Sequence, residues 1–165
     1  MEITKEWLKE KEACSEGLEW FIHQSETDLF KLIDKLIKKR KDWANWLIIK
    51  AMNRQQQLQY AIACAKLVLP IFEEKYPADA RPRDVIEATQ KLLTEDSEKN
   101  RDAAYKASGY DPYWYFTHSK AILAAKVAYA ASDTNVYWAT LTASSAINSW
   151  KPILQIGINI LKGNN

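Results

Sequence analysis

Residues 27–39, TDLFKLIDKLIKK, can bury their apolar side chains together in one way, as a helix laid against a core. Leu29, Leu32, Ile33, Leu36 and Ile37 recur at the spacing of one helix face, while Asp28, Lys31, Asp34, Lys35 and Lys38 fill the other. Thr27 is placed to cap this helix. The basic run at 38–41, KKRK, sets positive charge at the negative helix end, the role expected of it ahead of phosphate binding. The same period returns along the chain, and no alternating pattern of useful strand length interrupts it. The pattern predicts an all-α protein, a compact single-domain bundle of about seven to nine helices over 1–165.

Composition agrees. With 165 residues, 47% hydrophobic and 27% charged, the chain is long enough to bury a core and too apolar for a disordered reading. Four glycines and five prolines leave few turn signals, which favours long helices with short connections. Basic and acidic residues number 23 and 21, a balance that argues against a dedicated nucleic-acid binder. Cys14 and Cys64 fall inside helical patterns, so both are expected as buried, reduced thiols. No apolar run has the length of a membrane span, and the charged first residues lack a signal-like apolar stretch. A cytoplasmic location without a membrane partner is the expectation.

Within residues 1–95 the helical segments follow closely. A short helix over 3–13 should turn Trp7 and Leu8 inward, and Ser15 should cap the next, whose face is Leu18, Phe21 and Ile22 with Trp20 at its edge. Asp42 is the expected cap of a helix carrying Trp43 and Trp46 three apart, two rings that suit a core or an interface. Residues 55–75 are apolar around most of their circumference from Tyr60 to Phe72, which predicts the central helix. Pro70 should kink or break it near 66–70. Residues 76–88, YPADARPRDVIEA, read as a corner: Tyr76 and Pro77 close one helix, and Pro82 opens the next. Ser97 is a candidate cap. Residues 96–165 form an alanine- and aromatic-rich half in which Ala121, Ala124, Ala125 and Ala128 share a face.

Nothing in this pattern spells catalysis. His23 and His118 lack ligand spacing, there is no glycine-rich phosphate loop, and adjacent pairs such as Glu73–Glu74 do not face each other on a helix. No metal, no cofactor and no catalytic residue are expected. The densest aromatic cluster is GYDPYWYFTH, 109–118, where Tyr110, Tyr113, Trp114, Tyr115 and Phe116 cannot all face one side of a helix. Either they wedge a helix start into the core, or they offer rigid area to a partner.

Three stretches together, ACSEGLEWF (13–21), DWANWLI (42–48) and AIACAKLVLPIFEEKYPADARPRDVIEATQKLL (61–93), resemble the Imm5-like putative immunity protein family of bacteria and phages. That resemblance implies an all-α fold and a protein that neutralises a toxin by direct binding. The residues it carries over are Glu16, Trp43, Trp46, Asp79, Arg81, Pro82, Arg83 and Glu87. Glu16, Asp79, Pro82 and Glu87 are expected as architecture. Arg83 and Glu87 stand i, i+4, and Arg81 should reach a carboxylate such as Glu16 or Glu73. Arg81, Arg83, Trp43 and Trp46, with Tyr110, Tyr113, Trp114 and Tyr115, are the binding candidates. The alternative is a phage counter-defence protein that inhibits a host defence protein or holds a small anionic nucleotide, with Arg81 and Arg83 as guanidinium donors and Trp43 as a stacking ring. A hydrolase or transferase using Asp79, Glu87 or His118 is the remote third reading.

Overall fold

The computed structural model describes residues 1–108, 120–132 and 135–163. Among them are ten α-helices and a single 3-10 turn, and no strand; one isolated bridge joins Glu2 to Asp28. The expected all-α architecture is found, with ten helices in place of seven to nine. The chain divides into two compact units, Met1–Ala51 and Met52–Asn165.

The first unit comprises α1 (Lys5–Glu10), α2 (Ser15–Ile22), α3 (Leu29–Lys39) and α4 (Lys41–Ala51). α3 buries the stripe that the period marks, Leu29, Leu32, Ile33 and Leu36, and packs on α4. Its cap is Asp28, whose carboxylate accepts from the Lys31 N–H at 3.1 Å. The carbonyl of Thr27, the expected cap, instead accepts from the Ile3 N–H at 2.8 Å, which ties down the buried Ile3.

α2 is likewise capped one residue from the expected position. The Sγ of Cys14 accepts from the Gly17 N–H at 3.4 Å, so Cys14 sits exposed outside the helix and not buried within it. A Cβ on Gly17 would lie 3.3 Å from that sulfur, a tight approach that glycine avoids. The buried stripe of α2 is narrower than its apolar residues: Phe21 is buried, and Ile22 at the helix end is 51% exposed. Arg40, at φ −140° and ψ 80°, ends α3, and α4 follows at once, so Asp42 lies in its first turn and is not its cap.

The second unit contains α5 (Arg54–Lys75), α6 (Arg81–Gln90) with the 3-10 turn Lys91–Leu93, α7 (Glu98–Ser108), α8 (Lys120–Ser132), α9 (Val136–Ala146) and α10 (Lys151–Leu161). α5 is its centre, packed against α6, α8, α9 and α10. Asn53 and Gln56 close a reciprocal capping box at its start. Of the kink or break expected near 66–70, the break does not occur, since α5 runs through Pro70 as one helix. Pro70 and Lys66 are both exposed, so the Lys66 carbonyl that loses its amide partner lies on a side open to water.

Small residues serve close packing here. Ala128 and Ala131 of α8 and Ala139 and Ala143 of α9 are buried, and these two helices pack against each other and against α5. The side chains of Ala121, Ala124 and Ala125 lie outside the described residues. Ser97 does cap α7, accepting from the Asn100 N–H at 3.3 Å.

A buried polar contact joins α5 to α10: the hydroxyl of Tyr60, fully buried on α5, donates to the Ile153 carbonyl at 3.0 Å. Burial holds this phenol protonated by raising its pKa well above the usual value. Tyr60→Phe should cost about 1 kcal/mol, the usual net contribution of an intramolecular hydrogen bond, since the Ile153 carbonyl keeps its place in the helical ladder of α10. Urea unfolding that detects no loss would show that the hydroxyl contributes nothing to holding α10.

Candidate functional site

The corner between α5 and α6 concentrates the motif residues of the second unit. α5 ends when the Tyr76 N–H bonds to the Phe72 carbonyl at 2.9 Å, and the Asp79 N–H returns to the Tyr76 carbonyl at 3.0 Å. Pro82 then sits buried in the first turn of α6, where no N–H is needed. The residue before α6, Ala80, has no side-chain cap to offer, and Asp79 supplies one by accepting from the Arg81 N–H at 3.1 Å. The turn leaves an open groove of about 650 Å³ lined by Lys75, Tyr76, Asp79, Arg81 and Asp84 with the backbone between them.

Arg81 grips Asp79 with two nitrogens, Nε at 2.9 Å from Oδ1 and Nη2 at 2.6 Å from Oδ2. That two-pronged hydrogen bond, joined by the backbone N–H of Arg81, holds the Asp79 carboxyl below the usual carboxylate range against the opposing effect of partial burial. Among the described residues the structure pairs Arg81 with Asp79, where sequence had pointed to Glu16 or Glu73. Asp79, two residues back across the turn, takes the guanidinium first.

Glu73 binds Arg83 instead, with Nε 2.9 Å from Oε1, which ties α6 back to the last turns of α5. The helical i, i+4 pairing of Arg83 with Glu87 gives way to this contact, and Glu87 is exposed. Tyr76 packs its ring 5.1 Å from that of Phe72, and the Lys75 ammonium stands 5.4 Å above it.

In the first unit the motif residues Glu16 and Trp43 converge on a group that sequence reasoning passed over, Arg40. Its Nε and Nη2 meet the two oxygens of Asp42 at 3.2 and 3.0 Å, and its Nη1 reaches Glu16 at 3.1 Å. Its guanidinium lies 3.8 Å above the ring of Trp43, whose other neighbour is the edge-on ring of Trp20 at 6.5 Å. Hydrogen bonding from Arg40 lowers the pKa of Asp42. Trp43 and Trp46 are thus half-buried rather than core residues, and the Lys50 ammonium lies 5.9 Å from the Trp46 ring. The run KKRK gave no hint of this, because Arg40 and Asp42 become partners only where α3 breaks.

Tyr110, Tyr113, Trp114, Tyr115 and His118 lie outside the described residues. His23 is exposed, its Nδ1 2.8 Å from the Glu19 carbonyl. Cys64 is buried in α5, where desolvation raises its pKa and keeps it a thiol. Among the described residues no group of three or more His, Cys, Asp or Glu side chains is gathered to hold a metal, and no helix is long and apolar enough to cross a membrane.

Residues 47–108 match the family model described as Imm-5 like putative immunity protein. The match supports the resemblance drawn from the motifs. It spans the end of α4 through α7, with Asp79, Arg81, Pro82, Arg83 and Glu87 inside it and Glu16, Trp43 and Trp46 before it. Comparison with curated proteins and with solved structures gave no match.

The Asp79 cap is open to test. Asp79→Ala should destabilise the fold by about 1 kcal/mol at neutral pH, the usual cost of a lost cap. Because the folded-state pKa is lowered, the contribution is complete above the ordinary aspartate value of about 3.9 and is lost as pH falls through the lower folded value. In urea unfolding the gap between wild type and variant should hold from about pH 5 upward and close below about pH 4. A gap that persists undiminished to strongly acid pH would show that the carboxylate is not its source.

Proposed function

We propose that this chain, similar over residues 47–108 to the Imm-5 like immunity proteins, acts as an immunity protein that neutralises a toxin by binding it directly. The family match carries this reading. The α5–α6 corner supports it by giving a rigid, solvent-facing arrangement to the most distinctive motif within the matched residues. Arginine and tyrosine are the residue types that concentrate binding energy at protein interfaces, and the corner presents Arg81 and Tyr76 beside an open groove. Binding of this kind asks for shape and charge at a surface and requires no cofactor.

A nucleotide-holding role for the same arginines draws less support. Arg81 is bound by Asp79 and Arg83 by Glu73, so an anion would have to displace a carboxylate from each. Trp43, the proposed stacking ring, belongs to the other unit and lies under Arg40.

The test is co-expression with the product of the adjacent open reading frame. The expected outcome is rescue of growth and co-purification of the two proteins. Tyr76→Ala combined with Arg81→Ala should weaken the complex at least tenfold, a loss of about 1.4 kcal/mol or more, by titration calorimetry. Absence of both rescue and co-purification would refute the reading.

A further inference from the structure

Charge is unevenly spread within Met1–Ala51. Residues 1–28 hold eight acidic residues against three lysines, whereas residues 29–41 hold Lys31, Lys35, Lys38, Lys39, Arg40 and Lys41 against the single acid Asp34. The apolar stripe of α3 is buried, which commits the lysines to the opposite side, and Lys31, Lys35, Lys38, Lys39 and Lys41 are all exposed. From Lys31 to Lys39 the stripe runs about 12 Å at the rise of an α-helix.

Local chemistry neutralises only part of it. Lys31 stands 3.5 Å from Glu26, and Lys35 donates to the side-chain oxygen of Gln24 at 3.3 Å. Glu16 and Asp42, the acids that approach the end of α3, are both held by Arg40. A helix C-terminus offsets about half an elementary charge, too little to balance Lys38, Lys39 and Lys41 together. A concentration of like charge on one face carries a self-repulsion cost, which an oppositely charged partner relieves.

We infer that the lysine stripe of α3 is the surface that captures an acidic face of the protein partner; the inference rests on the immunity reading above. The stripe's chemistry favours a protein over a nucleic acid. Lysines also meet phosphates, but nucleic-acid binding draws in addition on free guanidinium forks, on rings open to stacked bases and on a strongly basic chain. Basic and acidic residues in this chain number 23 and 21. Here the guanidinium of the stripe, Arg40, is engaged by two carboxylates and covers the face of Trp43. The lysines that remain are mobile point charges, suited to drawing in scattered carboxylates and accelerating encounter.

The experiment measures association of the full chain with the product of the adjacent open reading frame by stopped flow across a series of salt concentrations. It compares wild type with the triple variant Lys35→Gln, Lys38→Gln, Lys39→Gln and with the triple Lys→Arg variant at the same positions. Circular dichroism confirms that each variant remains helical. The glutamine triple should associate about tenfold more slowly at low salt and respond less to added salt, with dissociation changed by less than about twofold. The arginine triple should match wild type.

A glutamine triple that associates as fast as wild type overturns the inference and leaves the immunity reading standing, as does slowing in the arginine triple. Failure of wild type to bind the partner removes both. Tighter binding of a short DNA duplex than of the partner, lost in the glutamine triple, overturns the choice of a protein.

Discussion

The second unit depends on one helix keeping its ladder through a proline. α5 carries Leu58, Tyr60, Ala61, Ile62, Cys64, Ala65, Val68 and Phe72 into the core, and four other helices pack against it. A proline inside a helix removes an amide donor and crowds the preceding turn, at a cost of about 3 kcal/mol where nothing compensates. Pro70 follows the exposed Leu67 and precedes the buried Phe72, on the strip where α5 meets solvent. Water can take the orphaned carbonyl there, so the helix reaches Lys75 intact and the turn into α6 begins where the motif requires it.

From that turn outward, short-range ion pairs set the geometry of both motif clusters. Asp79 with Arg81 and Glu73 with Arg83 fix the α5–α6 corner, while Glu16 and Asp42 hold Arg40 where α3 gives way to α4. Exposed pairs of this kind contribute little to stability, commonly under about 1 kcal/mol each. Their effect is positional. Two-pronged contacts orient a guanidinium that would otherwise sample many rotamers, and they hold each corner in one shape.

The fold was largely legible in the sequence because burial leaves a periodic trace. The stripe of α3, the all-round apolarity of α5 and the start of α6 at Pro82 follow directly from spacing and backbone chemistry. The caps of α2 and α3 were legible to within a residue, falling on Cys14 and Asp28 beside the expected Ser15 and Thr27, because only the turn geometry decides which neighbour faces the free N–H groups. The expected cap Asp42 lies inside α4. Pairing was much less legible. The i, i+4 rule joined Arg83 to Glu87, yet Glu73, ten residues back, lies closer once α6 folds against α5. Arg40 was invisible for a related reason. Its partners Glu16 and Asp42 and the ring of Trp43 come together only at a helix break, where helical spacing rules do not apply.

The sequence by itself determined an all-helical chain, the faces its helices bury, the proline corner at 76–82 and the resemblance to an immunity family. Each of these depends on local period, on propensity or on motif identity, all of which are written along the chain. Only the tertiary structure decided which carboxylate each arginine meets, that Trp43 lies beneath a guanidinium and outside the core, and that α5 survives Pro70. Those outcomes depend on how helix ends and turns bring side chains together in space and on which side of a helix faces water. One-dimensional periodicity does not contain either quantity.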